Sequence, residues 1–267
     1  MSPRRPATPF RIAWGAGDDR PAPASLAQEG PIAFEYNGLG YAVMLGSPRD
    51  LEDFATGFTW SEGLVERAGE ILSIEIARLE NGAIVRIDLP ERRAAPLRER
   101  VRLRLVEGSC GLCGLETIEE VLRPLPRLAA RPDISAPAIS AALARFRDHQ
   151  PLGQQTGAMH AAAFCDADGR IVAAREDVGR HNALDKLVGH LLREGISAQS
   201  GFILLSARCS CELVEKTARF GAPALVTISA ASDLAVERAQ EAGLTLVSLA
   251  RADSGLVMND PHGVFSA

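Results

Sequence analysis

Apolar and polar residues alternate in short runs through the first third of the chain. Ile32-Ala-Phe-Glu-Tyr36 and Tyr41-Ala-Val-Met-Leu45 flank Asn37-Gly38, a spacing that predicts a two-residue β-hairpin. A second alternating pair, Ile74 and Ile76 followed by Val85, Ile87 and Leu89, flanks Asn81-Gly82 and predicts another. Between them Leu51, Phe54, Ala55 and Phe58 fall on one helical face, with Ser47 expected as N-cap and Pro48 at the first helical position. Residues 32 to 90 therefore read as an antiparallel α+β unit. Residues 1–30 carry Pro, Gly, Ala and charges without periodicity and are expected to form a loose arm.

The pattern changes after a Pro-rich stretch, 124 to 137, read as a linker. A helix over 137 to 148 with Ile139, Leu143 and Phe146 inward follows, then a hairpin of Met159 to Phe164 and Ile171 to Ala174 around Asp166-Ala-Asp-Gly169. Leu184, Leu187, Val188 and Leu191 mark a buried helical stripe. Regular alternation then sets in: strand Phe202 to Leu205, helix Glu212 to Arg219, strand Ala224 to Ile228, helix Asp233 to Ala242, strand Leu244 to Leu249. Such a βαβαβ run makes its strands parallel, so the loops after Leu205, Ile228 and Leu249 open on one sheet edge, where α/β proteins bind ligands. The predicted class is α/β. Residues 31–130 form an N-terminal α+β lobe and 131–267 a C-terminal lobe with a mixed sheet.

Composition narrows the function. The chain has 267 residues, 46% of them hydrophobic, enough for a substantial core, and 34 acidic against 29 basic residues give a net charge of −5. No global positive field exists to hold nucleic acid, and no apolar run reaches the ~20 residues of a membrane helix, so neither partner is expected and a cytoplasmic address is. Five cysteines at short, uneven intervals fit reactive or metal-binding thiols better than a secreted disulfide framework.

Four segments carry candidate chemistry. Gly108-Ser-Cys110-Gly-Leu-Cys113-Gly114 places two thiols two residues apart in a glycine-rich loop, where they can share a metal, form a disulfide or pass sulfur. A four-cysteine zinc site needs a second pair, and Cys209-Ser-Cys211 has the wrong spacing, so no metal ligand set is assigned; Cys209, Cys211 and Cys165 read as packing or supporting residues. Thr156-Gly-Ala-Met-His160 lacks the glutamate of a zinc deaminase, whose position is Ala162, and His160 reads as a structural histidine or a pocket residue. In Glu176-Asp-Val-Gly-Arg-His-Asn-Ala-Leu-Asp-Lys186 a polar turn enters a helix. Either Arg180, His181 and the first amides cradle a phosphate, or Asp177 and Arg180 pair to cap the helix; Asp185 and Lys186 read as a surface pair. Ser206-Ala-Arg208-Cys-Ser210-Cys-Glu212 runs from a strand end into a helix start and offers hydroxyls, amides and a guanidinium at the expected ligand edge. Six arginines from Arg92 to Arg104 read as a solvated face.

In this order and spacing these segments resemble the formate dehydrogenase accessory sulfurtransferases, from about Ile32 to Val257. The resemblance implies a sulfur carrier between a cysteine desulfurase and the molybdenum cofactor, bis(molybdopterin guanine dinucleotide), of formate dehydrogenase. Cys110 aligns with the persulfide-bearing cysteine of the family, and Cys113 is a candidate partner that resolves it. The family's cofactor-binding stretch falls on Leu249, Ala250, Arg251, Ala252, Asp253 and Ser254, with departures from its pattern at Leu249, Asp253 and Cys211. A cytidine-deaminase-like C-terminal lobe, a homodimer, and mimicry of the cofactor by a guanine nucleotide such as GDP are further expectations of the resemblance. The alternative is a cofactor-binding chaperone in which no sulfur moves.

Overall fold

The computed structural model describes residues 10–11, 20–21, 25–93, 97 and 123–265. Inside the stretch expected to be a loose arm, β1 (Phe10–Arg11) and β2 (Arg20–Pro21) form a short antiparallel pair. A four-stranded sheet follows from β3 (Gly30–Tyr36), β4 (Leu39–Gly46), β5 (Ser73–Leu79) and β6 (Gly82–Asp88), in the order β4-β3-β6-β5. The first hairpin turns at Asn37 and Gly38, both with positive φ (49° and 77°), as a two-residue turn requires. The second turns one residue earlier than the sequence predicts: Leu79 pairs with Gly82, leaving Glu80-Asn81 as the turn. The sheet is also not wholly antiparallel. The helix α1 (Leu51–Ser61) carries the chain from edge β4 across to the opposite edge, so the central pair β3 and β6 runs parallel.

The apolar stripe of α1 lies on this sheet as predicted, with Phe34, Tyr36 and Phe54 fully buried and Phe34 and Phe54 meeting edge to face at 5.0 Å. Its start differs. The residue before the helix is Asp50, with φ of 52°, and Ser47 is not a cap. Ser47 is drawn away because its amide and hydroxyl are both bound to a carboxylate 130 residues further on, that of Asp177.

The second sheet has six strands: β7 (His160–Asp166), β8 (Ile171–Asp177), β9 (Gly201–Leu205), β10 (Ala224–Thr227), β11 (Thr245–Ser248) and β12 (Leu256–Asn259), in the order β12-β11-β10-β9-β7-β8. The predicted parallel run β9, β10, β11 is present, with antiparallel strands on both flanks. One face is covered by α4 (Arg180–Arg193), α5 (Cys211–Phe220) and α6 (Asp233–Ala242), the other by α2 (Ala136–Phe146), which Ser135 caps and which leads to the short α3 (Pro151–Thr156). Leu125 and Leu128 of the Pro-rich stretch pack on the α6 side.

The two sheets meet through α1 and α4. A Cβ on Gly57 would stand 1.8 Å from the Asp185 carbonyl oxygen, and one on Gly189 1.8 Å from that of Asp53, so both glycines are needed for the helices to approach. This contact overturns the surface reading of Asp185 and Lys186, which are both fully buried. Leu184 and Leu187 face the six-stranded sheet, while α1 covers the opposite flank of α4, so a helix with one apolar stripe is buried on two sides. Asp185 accepts from Ser61 (2.6 Å) and Lys216 (2.5 Å). The Lys186 ammonium uses its three donors on Asp177 (2.6 Å) and on the hydroxyl (2.8 Å) and carbonyl (3.0 Å) of Ser47. At its start the arginine-rich stretch is solvent-facing at Arg92, 60% exposed, and Arg92 and Arg93 also pair with Glu70 and hold its carboxyl down at about 2; the other arginines of that stretch lie outside the described residues.

Removing one member of the buried Lys186–Asp177 pair leaves an uncompensated charge. Lys186→Met is expected to cost about 3–5 kcal/mol in urea unfolding, and adding Asp177→Asn to recover part of it; a cost below about 1 kcal/mol contradicts this account.

Candidate functional site

The strand directions bring five chain segments to one edge of the six-stranded sheet: the ends of β8, β9, β10 and β11 and the start of β7. His160 opens β7 opposite Asp177, the last residue of β8, and Ser206 follows β9. Ser206 is locked to β7: its hydroxyl accepts from the Ala161 amide at 2.8 Å and its own amide donates to the Ala161 carbonyl at 3.0 Å. Helix α4 starts at this edge. Asp177 sets its approach, accepting from the Gly179 amide (2.8 Å) and the Asn182 side chain (3.0 Å), and no side chain caps the helix.

The pairing of Asp177 with Arg180, one of the two sequence readings, does not form, since Asp177 is committed to Lys186, Ser47, Gly179 and Asn182. Arg180 is left over. Its Nε is buried without a hydrogen-bond partner, and among the described residues the guanidinium has no ion pair. His160, half-buried, is held below the ordinary histidine range first by burial and then by the charges of Arg180 and His181. His181 points its Nε2 at the Ser210 hydroxyl (3.3 Å) and at Glu212 (3.6 Å), and this contact keeps the Glu212 carboxyl ionised far below its usual range. Ser210 and Glu212 open α5, within the segment from Ser206 to Glu212 that the sequence places at the ligand edge, although Ser206 and Arg208 were the residues singled out there. Arg208, on the loop after β9, is exposed and carries no ion pair among the described residues.

The stretch 249 to 254 lies at the same edge but on the other face. Along β7, Ala161 and Ala163 pack with α2 and Ala162 and Phe164 with α4, so His160, in register with Ala162, faces the α4 side. Ala250 packs on the α2 side, and residues 250 to 255 line a cavity of about 160 Å³ with Ile139, Ser140 and Phe265. Such a volume is below the ~300–1,000 Å³ of a whole ligand pocket and suits one group of a larger molecule. Leu249 has φ of 51°, and the Arg251 guanidinium donates to the carbonyls of Ile228 and Ala250, binding this loop to the one after β10. Ser140 donates to the Ala252 carbonyl at 2.7 Å. Thus His160, Arg180, His181 and Ser206 come together, whereas Leu249 to Ser254 form a separate wall.

The described cysteines have little nucleophilic character. Burial pushes Cys165 and Cys209 up to about 12, and Cys211, half-buried at the start of α5, is raised as well. Cys110 and Cys113 lie outside the described residues.

Fold and edge define an α/β protein with a mixed sheet whose parallel strand ends carry a helix start with no side-chain cap and an arginine without an ion pair among the described residues, features suited to an anionic ligand. The chain belongs to the FdhD/NarQ family, which it matches over residues 27–264. It is 44% identical over 237 residues, 89% of this chain and 85% of the relative, to the sulfur carrier protein FdhD of Bordetella petrii. It is 45% identical over 237 residues to that of Xanthomonas euvesicatoria (89% and 84%) and 42% over 249 to that of Cupriavidus necator (93% and 86%). The crystal structure of a candidate formate dehydrogenase accessory protein from Desulfotalea psychrophila superposes with a TM-score of 0.73 at 25% identity, covering 96% of this chain and 98% of that one. Among the described residues no helix is long and apolar enough to cross a membrane.

In a proton NMR titration His160 is expected to lose its proton below the ordinary 6.5. Arg180→Gln removes one of the charges that depress it, so the midpoint rises; a midpoint that stays put separates the two residues.

Proposed function

We propose that this protein is a sulfur carrier that serves formate dehydrogenase, accepting sulfur on Cys110 and passing it to the molybdenum cofactor before that cofactor enters the enzyme. Family membership over residues 27–264, among relatives named sulfur carrier protein FdhD, is the observation that carries the reading. Thiol chemistry falls to Cys110 and Cys113 because the other three cysteines are held as thiols by burial. A cysteine desulfurase is the donor. The Cys110 thiolate attacks the terminal sulfur of the donor's persulfide, the donor cysteine leaves as a thiolate, and Cys110 carries a persulfide anion. Cys113 then attacks the inner sulfur, sulfide departs toward molybdenum, and a Cys110–Cys113 disulfide remains, which a dithiol reductant reopens.

The substrate is the bis(molybdopterin guanine dinucleotide) form of the cofactor. Its pyrophosphates are suited to Arg180 and the uncapped first turn of α4, which offer a guanidinium with a buried, unpartnered Nε and free amides. A guanine fits the scale of the cavity against residues 250 to 255. GDP is the expected mimic, the protein is expected to act as a homodimer in the cytoplasm, and the cofactor-binding chaperone is the competing account.

Mass spectrometry after incubation with a cysteine desulfurase and free cysteine tests it. One added sulfur on the Cys110 peptide is expected, none in Cys110→Ala, and full loading but poor delivery in Cys113→Ala. An unmodified Cys110 peptide in the wild-type protein leaves the chaperone account.

A further inference from the structure

A second cavity lies where the two sheets adjoin, away from Arg180. It measures about 170 Å³ and is lined by residues 25–28, by Ser47, Pro48 and Arg49, and by Leu152, Gln155, Thr156 and Met159. Arginine is its one charged side chain; no carboxylate lines it, in a chain with 34 acidic residues. Arg49 itself makes no hydrogen bond or ion pair with any described residue. The backbone around it is fixed on every side. Ser47 is bound through its amide and hydroxyl to Asp177 and through its carbonyl to Lys186, and the Pro48 carbonyl accepts from Arg78 at 2.9 Å. Pro48 has a restricted φ, Asp50 is held in the left-handed region at φ 52°, and its carbonyl takes the Phe54 amide at 2.8 Å. The backbone of Ser47 to Asp50 is thus held in place, with Asp50 alone of the four in the left-handed region, while the exposed Arg49 side chain among them has no partner in the described residues. A guanidinium fixed at its base beside a cavity that offers it no carboxylate is available to an anion.

We infer that Arg49 and this cavity form an oxyanion site that takes a phosphate group. A guanidinium presents paired donors to phosphate oxygens, and Ser25, Gln28 and Gln155 on the lining add neutral donor groups for the rest. The cavity has room for one phosphate or pyrophosphate and not for a nucleoside as well. The site stands on the surroundings of Arg49 alone; only its assignment to a phosphate of the guanine dinucleotide, as against free phosphate, rests on the preceding reading.

Calorimetric titration of the full chain with inorganic pyrophosphate tests it, in the wild type and in an Arg180→Gln background that removes the other candidate anion site. Arg49→Gln is expected to weaken pyrophosphate at least about tenfold in both backgrounds while leaving the thermal midpoint unchanged, and Arg49→Lys to restore part of the affinity. No binding in the Arg180→Gln background, or an Arg49→Gln affinity within twofold of its parent, overturns the site. A parallel titration with GDP distinguishes the source: equal weakening by Arg49→Gln assigns a nucleotide phosphate to the cavity, and unchanged GDP binding assigns free phosphate. Failure of sulfur loading on Cys110 bears on the preceding reading and leaves this one untouched.

Discussion

A carboxylate with no exposure to water is a demanding object to fold around, and Asp177 is one. It sits at the end of β8, accepts five hydrogen bonds, and draws its donors from three parts of the chain: Ser47, the turn at Gly179, and Asn182 and Lys186 on α4. A buried ion pair adds little net stability over an apolar pair of equal volume, because desolvation offsets most of the attraction. Its force lies in the alternatives. Any other docking of the four-stranded sheet on α4 separates Ser47 from Lys186 and Asp177 and leaves a buried charge short of partners. The Gly57–Gly189 approach imposes the same arrangement sterically, since a shift of α1 along α4 brings larger residues to the crossing.

The site inherits this constraint. Asp177 holds the Gly179 amide and the Asn182 side chain, and between them stand Arg180 and His181, so the same carboxylate that joins the two sheets aims the start of α4. In other parts of the protein arginines meet carboxylates: Arg175 and Arg193 on Asp53, Arg238 on Glu215. Arg180 has its nearest acidic neighbour in sequence taken by a lysine. An arginine whose Nε is buried and unsatisfied carries a desolvation cost that a bound anion removes.

Much of this was legible in the sequence because it is local. The turn at Asn37-Gly38, the stripe from Leu184 to Leu191 and the alternation of β9 to β11 with α5 and α6 are set by side chains a few residues apart, and each formed where the pattern placed it. Contacts across more than a hundred residues were not. Ser47 has every local feature of an N-cap and is bound elsewhere; Lys186 lies off the apolar stripe of α4 and is buried because α1 covers that flank. Parallel pairing of β3 with β6 depends on where α1 crosses, which no alternation records. At the site, the density of polar residues from Glu176 to Lys186 was a sound signal, although half of that density serves the buried cluster. The alternation of β9 to β11 placed 249 to 254 in a loop at the ligand edge, and the family resemblance pointed to the same stretch; neither recorded that it stands on the opposite face from His160.

The separation of the two walls has a chemical consequence. The sheet is one layer thick between His160 and Ala250, and its edge is the one place where a single ligand reaches both faces. A compact ligand contacts either the Arg180 side or the cavity against α2. An extended one, with charged and aromatic groups separated by several bonds, bends over the strand ends and uses both. The spacing of β11 from β7, three strands at about 4.8 Å each, is of the length of a nucleotide diphosphate rather than of a single phosphate. The loop after β11 is tied to the one after β10 by Arg251, whose Nη1 donates to the carbonyls of Ile228 and Ala250. One terminal nitrogen of Arg251 thus braces the loop, and its Nε and second terminal nitrogen face outward from that contact as further donors at the same wall.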